Sequence, residues 1–492
     1  MKKHCLFLFC LICIPLMGQS TYKPDWESID KRPVPAWFEN AKFGIFIHWG
    51  LYSVPAWSPK GTYSEWYKYW LDKKTLMGNG NFTGTEIYDY HRKMYGEDFT
   101  YADFAPMFKA LSYDPEEWAD LFEHSGAKYV VLTTKHHDGF ALWPSREASI
   151  SYGRPWNSME IGAHRDLVGE YVNALRKTDI KVGCYFSLRE WDNPLYNKET
   201  MDLFYERHWF PQLQDLVNRY KPDLIWADGP DQINDKQWQA ERTLAWLYSE
   251  SPVKDSIVVN DRWANNTGKK HGDYYTREYS NTNSSYNKPW EECRGIGLSF
   301  GYNQNEDLGD YTSPKALILT LVNIVSQGGN LLLDIGPNAN GKIPPIMQER
   351  LLQIGKWLKV NGEAIYGTRA WGNFCQWSKG SKEWKSKEKH YVSGDAILKQ
   401  TVDPDPGYAV KEVFFTKKGN NVYAILPRYP KNKIVLKDIQ TTGRTKITLL
   451  GSDKKVQWKQ KGNDIEVIMP LLYVDELPCD YAWVLKLEKI SE

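Results

Sequence analysis

The sequence predicts a (β/α)8-type, TIM-like catalytic barrel followed by an antiparallel β-sandwich, on three observations. From about Phe43 to Asn260, helix-period segments alternate with short β-rich runs, the pattern of βα units in a parallel sheet. Successive strands end in groups that can hydrogen-bond or ionise. A doubly wound sheet gathers its ligand at one switch point, whereas a closed barrel brings every strand end to one rim, so the barrel is favoured. From about Tyr366 the texture changes to short alternating runs such as "VFFTKKGNNVYAIL", "TKITLLG", "DIEVIMP" and "AWVLKLEK", separated by Gly, Asn, Asp and Lys clusters. That texture belongs to an antiparallel sandwich.

The elements follow in order. "MKKHCLFLFCLICIPLMGQS" has a charged start, an apolar stretch and small residues near Gly18, so residues 1–18 are expected to be a secretory signal peptide. Its removal leaves an exported protein, periplasmic or secreted, with the barrel over 19–365 and the sandwich over 366–492. A lipid-anchored cysteine at Cys10 or Cys13 is the alternative, but neither is preceded by the small residues such an anchor needs. No later segment is long and apolar enough to span a bilayer. "PEEWADLFEHSG" carries helix start and stop signals, and "AKYVVLTT" follows as a strand. Helix "DLVGEYVNALRKT" precedes strand "IKVGCYFS", helix "MDLFYERHWFPQLQDLVNRY" precedes "DLIWA", and helix "QWQAERTLAWLYSE" precedes "SIVVN".

Composition excludes some partners. The net charge of +1, without a basic run, gives no reason to expect a nucleic acid. Aromatic residues make up 14% of the chain, with 22 Trp; flat rings pack on the apolar faces of sugars, although most are expected in the core. Without the signal, Cys184, Cys293, Cys375 and Cys479 remain, too widely spaced for a zinc motif or a disulfide scaffold, and their pairing stays open.

The strand ends carry the chemistry. His48 follows "KFGIFI", His136 and His137 follow "YVVLTTK", Tyr185 to Arg189 close "KVGCYFSLR", Asp228 closes "DLIWAD", and Arg262 follows "SIVVND". Alternation puts Leu224, Trp226 and Asp228 on one side of their strand, with Asp228 at the rim before Gly229, where a tight turn is permitted. Asp228 there is a helix cap, or a nucleophile or base. Glycoside hydrolysis needs a second carboxyl group, for which Glu278, Glu291 and Glu292, taken to lie in the loop after "VVNDRW", are candidates. Adjacent histidines on a strand face opposite ways and no third and fourth ligand stands at a familiar spacing, so no metal is expected. Structural histidines are one reading; hydrogen bonding to sugar hydroxyls, with Asp138, fits better.

These residues resemble the α-L-fucosidases of glycoside hydrolase family twenty-nine. The similarity runs through "WFENAKFGIFIHWGLYSVPAW", "SEWY", "YVVLTTKHHDGFALWPS", "LIWADG", "VVNDRW", "RGIGLSFGYN" and "SQGGNLLLDIGPNANGKIP", to about residue 370. The resemblance implies a barrel followed by a β-sandwich and a retaining exo-hydrolase with no cofactor, acting on terminal α-L-fucose of oligosaccharides or glycoconjugates. It implies Asp228 as nucleophile and a fucose pocket of His48, Glu65, Trp66, His136, His137, Tyr185, Trp226, Arg262 and Phe300. "TREY" resembles the segment that supplies the acid/base in some relatives, giving Glu278; "PWEEC" resembles another, keeping Glu291 as the alternative. A hydrolase of a related sugar such as an α-L-galactoside, or a carbohydrate-binding protein without turnover, are the competing expectations.

Overall fold

The structure, a computed structural model, describes residues 21–74, 85–279, 286–385 and 395–491. The expected signal peptide over 1–18 lies outside the described residues. Eight parallel strands form the catalytic unit: β1 (Phe43–Ile47), β2 (Tyr129–Lys135), β3 (Lys181–Ser187), β4 (Leu224–Asp228), β5 (Val258–Val259), β6 (Tyr275–Glu278), β7 (Trp290–Gly295) and β8 (Asn330–Ile335). They pair in the order β5-β4-β3-β2-β1-β8-β7-β6, which is the cyclic order of a TIM-type barrel with one seam, between β5 and β6.

Side-chain alternation builds two layers. Phe46, Val131, Tyr185, Leu224, Trp226 and Leu332 fill the barrel interior, while Ile45, Val130, Cys184, Ile225 and Leu333 face the surrounding helices. Those helices are α1 (Pro115–Ser125), α2 (Leu167–Leu175), α3 (Phe210–Tyr220), α4 (Ala240–Ser249), α5 (Pro314–Ser326) and α6 (Pro345–Asn361). Helix α1 begins as its sequence dictates: Pro115 stands at the first turn, the Asp114 carboxylate accepts from the Glu116 and Glu117 amides, and Gly126 closes it at φ 83°.

Two sequence expectations are corrected. The segment over 201–220 is not one regular helix: α3 is preceded by a single π turn, Tyr205–Trp209, because Pro211 has no N–H to give the turn before it. Glu278 and Glu291 are not loop residues. Each lies on a strand, Glu278 as the last residue of β6 and Glu291 as the second of β7, and no helix separates β5 from β6 among the described residues.

Beyond α6 the chain turns to antiparallel pairing. A five-stranded sheet, in the order β13 (Thr441–Leu449), β16 (Trp483–Ile490), β11 (Asn421–Leu426), β10 (Lys411–Lys418), β9 (Arg369–Trp377), faces a three-stranded sheet of β12 (Lys433–Leu436), β15 (Asp464–Ile468) and β14 (Gln457–Lys461). The central strands β10 and β11 of the larger sheet are buried on both faces. Val413, Phe415, Val422 and Ala424 point into the sandwich with Ile465 and Val467, whereas Phe414, Tyr423 and Ile425 join the core of the barrel and its helices. Polar contacts cross the same junction: Trp357 Nε1 donates to Ala482 O at 2.8 Å, and the buried Lys411 Nζ to Asn323 Oδ1 at 2.7 Å. Cys184, Cys293, Cys375 and Cys479 are buried free thiols.

Candidate active site

The carboxyl ends of the strands converge on one pocket, and Asp228 stands where β4 stops. Its Oδ1 accepts from Arg262 Nη1 at 3.1 Å and its Oδ2 from the Tyr185 hydroxyl at 3.1 Å, with His137 Nε2 at 3.6 Å. Burial pushes this carboxyl up, but the Arg262 and Arg189 cations outweigh it and hold the group below its ordinary value.

Glu278 shares the same cation. Arg262 Nη2 lies 3.4 Å from Glu278 Oε2, and the Tyr63 hydroxyl 3.4 Å from Oε1. Here burial dominates, and Asp228 adds repulsion to it, so Arg262 does not prevent the Glu278 carboxyl from rising above its ordinary value. Two carboxyl groups on one guanidinium are therefore driven in opposite directions, the division of labour an acid and a nucleophile need. Arg262 is itself fixed by Thr276, whose Oγ1 accepts from Nε at 2.9 Å, and lies 4.6 Å over the Trp226 ring.

Glu291 stands apart from this pair. Its side chain points into the barrel, where it accepts from the Tyr129 hydroxyl at 2.6 Å and from Trp226 Nε1 at 2.8 Å. The residue is 1% exposed, against 24% for the Glu278 side chain, and burial lifts its carboxyl to about 7. Such a group braces the indole above it.

The remaining residues form the wall. His136 and His137 lie side by side with ring centroids 4.3 Å apart; His136 is 5.6 Å from Tyr185, and its Nδ1 has no hydrogen-bond partner among the described residues. His48 stacks at 5.0 Å on Phe300 and lies 5.7 Å from His136. Trp66 packs 5.8 Å from His137, while Glu65 accepts from Ser299 Oγ at 3.2 Å and the Gly301 amide at 2.9 Å. Burial lifts the Glu65 carboxyl to about 7. Asp138, singled out beside the histidines, turns away: it accepts from the Tyr101 hydroxyl and the Phe140 amide. Among the described residues no group of three or more His, Cys, Asp or Glu side chains is arranged to hold a metal.

Sequence reasoning missed three participants. Arg189 pairs with Asp231 at 2.8 Å, covers Trp66 at 5.1 Å and lends Asp228 a second positive charge; its strand-end position was the available signal. Asp334, next to last in β8, carried the same strand-end mark; Tyr63 did not. Gly229 is required for more than a turn: at φ 74°, a Cβ there would fall 2.7 Å from Arg189 Nε and 2.8 Å from His137 Cε1.

A strand-end carboxyl pair on a barrel rim, walled by imidazoles and indoles, defines the class as a glycoside hydrolase. Comparison with known proteins makes it particular. The family pattern described as Alpha-L-fucosidase matches residues 12–363, and that described as Alpha-L-fucosidase C-terminal domain matches residues 408–488. Tissue alpha-L-fucosidase of Homo sapiens is 44% identical over 96% of this chain and 92% of its own length; Alpha-L-fucosidase of Branchiostoma floridae is 39% identical over 98% and 99%. The crystal structure of Thermotoga maritima alpha-fucosidase in complex with fucose is similar at a TM-score of 0.73 and 35% identity, over 95% of this chain and 100% of that one. The chain belongs to the α-L-fucosidase family.

Proposed function

We propose that the protein is a retaining exo-α-L-fucosidase that removes terminal α-L-fucose from oligosaccharides or glycoconjugates. The observation that carries the mechanism is the single guanidinium of Arg262 between a carboxyl held below its ordinary value and one raised above it. Asp228 Oδ attacks the anomeric carbon as the bond from that carbon to the leaving oxygen breaks, and Glu278 passes its proton to that oxygen. Water then attacks the covalent fucosyl-enzyme, Glu278 takes the water's proton, and Asp228 is released. His48, His136, His137, Glu65, Trp66 and Tyr185 hold the ring hydroxyls, while Trp226 and Phe300 offer apolar contact to the C6 methyl.

Thermotoga maritima alpha-fucosidase has been solved with fucose and with a mechanism-based inhibitor, and its likeness to this chain over nearly the whole length supports the sugar and the covalent route. The N-terminal sequence supports export to the periplasm or medium with removal of residues 1–18, which N-terminal sequencing of the mature protein checks. No helix among the described residues is long and apolar enough to cross a membrane. The deciding experiment is proton NMR of hydrolysis of an aryl α-L-fucoside beside the α-L-galactoside and fucosylated oligosaccharides. α-Fucose is expected as the first anomer released; β-fucose first would overturn the double displacement.

A further inference from the structure

Behind the pocket wall stand two residues whose side chains bond to pocket histidines and not to the side chains of the reacting pair. Ser187, the last residue of β3, lies with its Oγ 2.6 Å from His137 Nδ1 and 2.7 Å from Arg189 O. Asp334, on β8, lies with its Oδ1 2.5 Å from His48 Nδ1, and its Oδ2 has no hydrogen-bond partner among the described residues.

The hydrogen count at Ser187 is forced. A carbonyl oxygen only accepts, so the one hydroxyl hydrogen goes to Arg189 O. The Oγ lone pair then faces His137 Nδ1, which must carry the hydrogen of that contact. Burial, with His136 and Arg189 nearby, keeps His137 well below the ordinary imidazole value, so the ring is neutral and its Nε2 is bare. That bare nitrogen is the one 3.6 Å from Asp228 Oδ2. A bare imidazole nitrogen beside a carboxylate oxygen is an acceptor to which a ligand hydroxyl can give its one hydrogen.

At His48 the count comes out the other way. With two hydrogens on the pair, one lies in the 2.5 Å contact, on the carboxyl or on Nδ1, and the other is on Nε2, because on Asp334 Oδ2 it would be buried with no acceptor among the described residues. With a single hydrogen, Asp334 would be a bare anion, 1% exposed, with one oxygen unpaired. Burial and the Glu65 carboxylate both oppose that state, raising Asp334 well above its ordinary value.

We propose that Ser187 and Asp334 are positioning residues that fix opposite tautomers on two pocket histidines, so that His137 offers a lone pair and His48 an N–H to the ligand. The inference rests on the reading of this pocket as a sugar site, because a hydroxyl, which both donates and accepts, is the ligand that needs both. Such partners behind a working imidazole set which nitrogen it presents.

Neutron diffraction from perdeuterated, ligand-free crystals of the whole protein tests the assignment without recourse to activity. Deuterium is expected on His137 Nδ1 and His48 Nε2, with His137 Nε2 bare; deuterium on His137 Nε2, or a bare His48 Nε2, would overturn it. Kinetics on an aryl α-L-fucoside supply the second arm. S187A should lower kcat/KM about 10-fold, the loss one hydrogen bond carries, with 15N-histidine spectra showing hydrogen gained at His137 Nε2. D334N, whose amide N–H can donate to His48 Nδ1, should stay within a few-fold of the parent, whereas D334L should lose about 10-fold or more. Equal losses in D334N and D334L would mean that a donor toward His48 Nδ1 does not replace the carboxyl, and would refute its half. The expected hydrogen pattern without fucose binding would count against the sugar reading alone.

Discussion

At the scale of single residues the carboxyl pair makes the sharpest claims. Asp228→Ala should cut kcat by several orders of magnitude with an unchanged fold, and azide should partly restore turnover of an activated aryl fucoside. Glu278→Ala should spare the first step on a phenol of low pKa, giving a burst, yet cripple hydrolysis of oligosaccharides. Glu291→Ala should cause a milder loss that does not depend on the leaving group, since its carboxylate supports Trp226 and Tyr129. If the leaving-group dependence belongs to Glu291→Ala instead, the acid/base assignment moves to β7. The pH profile of kcat/KM follows from the directions of the two shifts. Activity falls on the acid side as Asp228 gains a proton, below its ordinary value, and on the alkaline side as Glu278 loses one, above its ordinary value. Glu278→Gln should erase the alkaline limb for activated substrates; survival of that limb would assign it elsewhere.

At the scale of elements, the loop that carries the histidines hangs from a buried ionic knot. Lys135, the last residue of β2, donates to Glu190 Oε1 at 2.5 Å and Gln212 Oε1 at 3.0 Å; His208, in the π turn, meets the same Glu190 oxygen at 2.8 Å, and Asn193 caps the other at 2.8 Å. Lys135→Met removes one partner of a fully buried pair and should cost about 3–5 kcal/mol, read as a lowered denaturation midpoint. Burial alone would raise Glu190, but His208 and Lys135 overcome it and hold the carboxyl at about 2. Its folded value is depressed, so its stabilisation is complete above the ordinary 4.5 and is lost as pH falls toward about 2. Acid unfolding of the parent should show this loss, and Glu190→Gln should flatten it.

Elements also show what sequence makes legible. Strands β1 to β4 read easily because each is an apolar run with turn or cap residues after it, and the site residues at their ends were legible with them. Strands β6 and β7 read as loops because Arg277, Glu278, Glu291 and Glu292 interrupt any apolar pattern; a barrel interior that carries chemistry places polar side chains where a packed core would place Val or Leu. The π turn leaves only Pro211 as a trace. Asp334 lay in full view within "NLLLDI", but nothing in its spacing pointed to His48, whose partner is set by the pairing of β1 with β8.

At the scale of the whole molecule, the sandwich and the barrel share one core through Phe414, Tyr423 and Ile425. Calorimetry should therefore give one cooperative unfolding transition, and a chain ending near residue 365 should be unstable, with its exposed α5 and α6 surfaces driving aggregation. Two well-separated transitions would contradict the shared core. Activity of the whole enzyme should survive exhaustive chelation, given the absence of a ligand cluster among the described residues; a loss restored by one divalent ion would displace the histidines from their sugar-binding role.

The seam between β5 and β6 has its own consequence. Beside a backbone bond from the Asp273 amide to Val259 O at 3.0 Å, side chains lace the seam: Asp261 Oδ1 accepts from the Thr276 amide at 3.0 Å and hydroxyl at 2.7 Å, and Asp273 Oδ2 from the Val259 amide at 2.9 Å. Peptide groups are common to every residue type, so a strand ladder persists through most substitutions, whereas a stitch made by Asp261 or Thr276 is erased by a single codon change. The wall that hangs Arg262 on one edge and Glu278 on the other is thus the one whose geometry point mutation can most readily retune. Variation in the departing group can be met along this edge by sequence drift, while the opposite wall, pinned by backbone pairing, keeps its hold on the sugar.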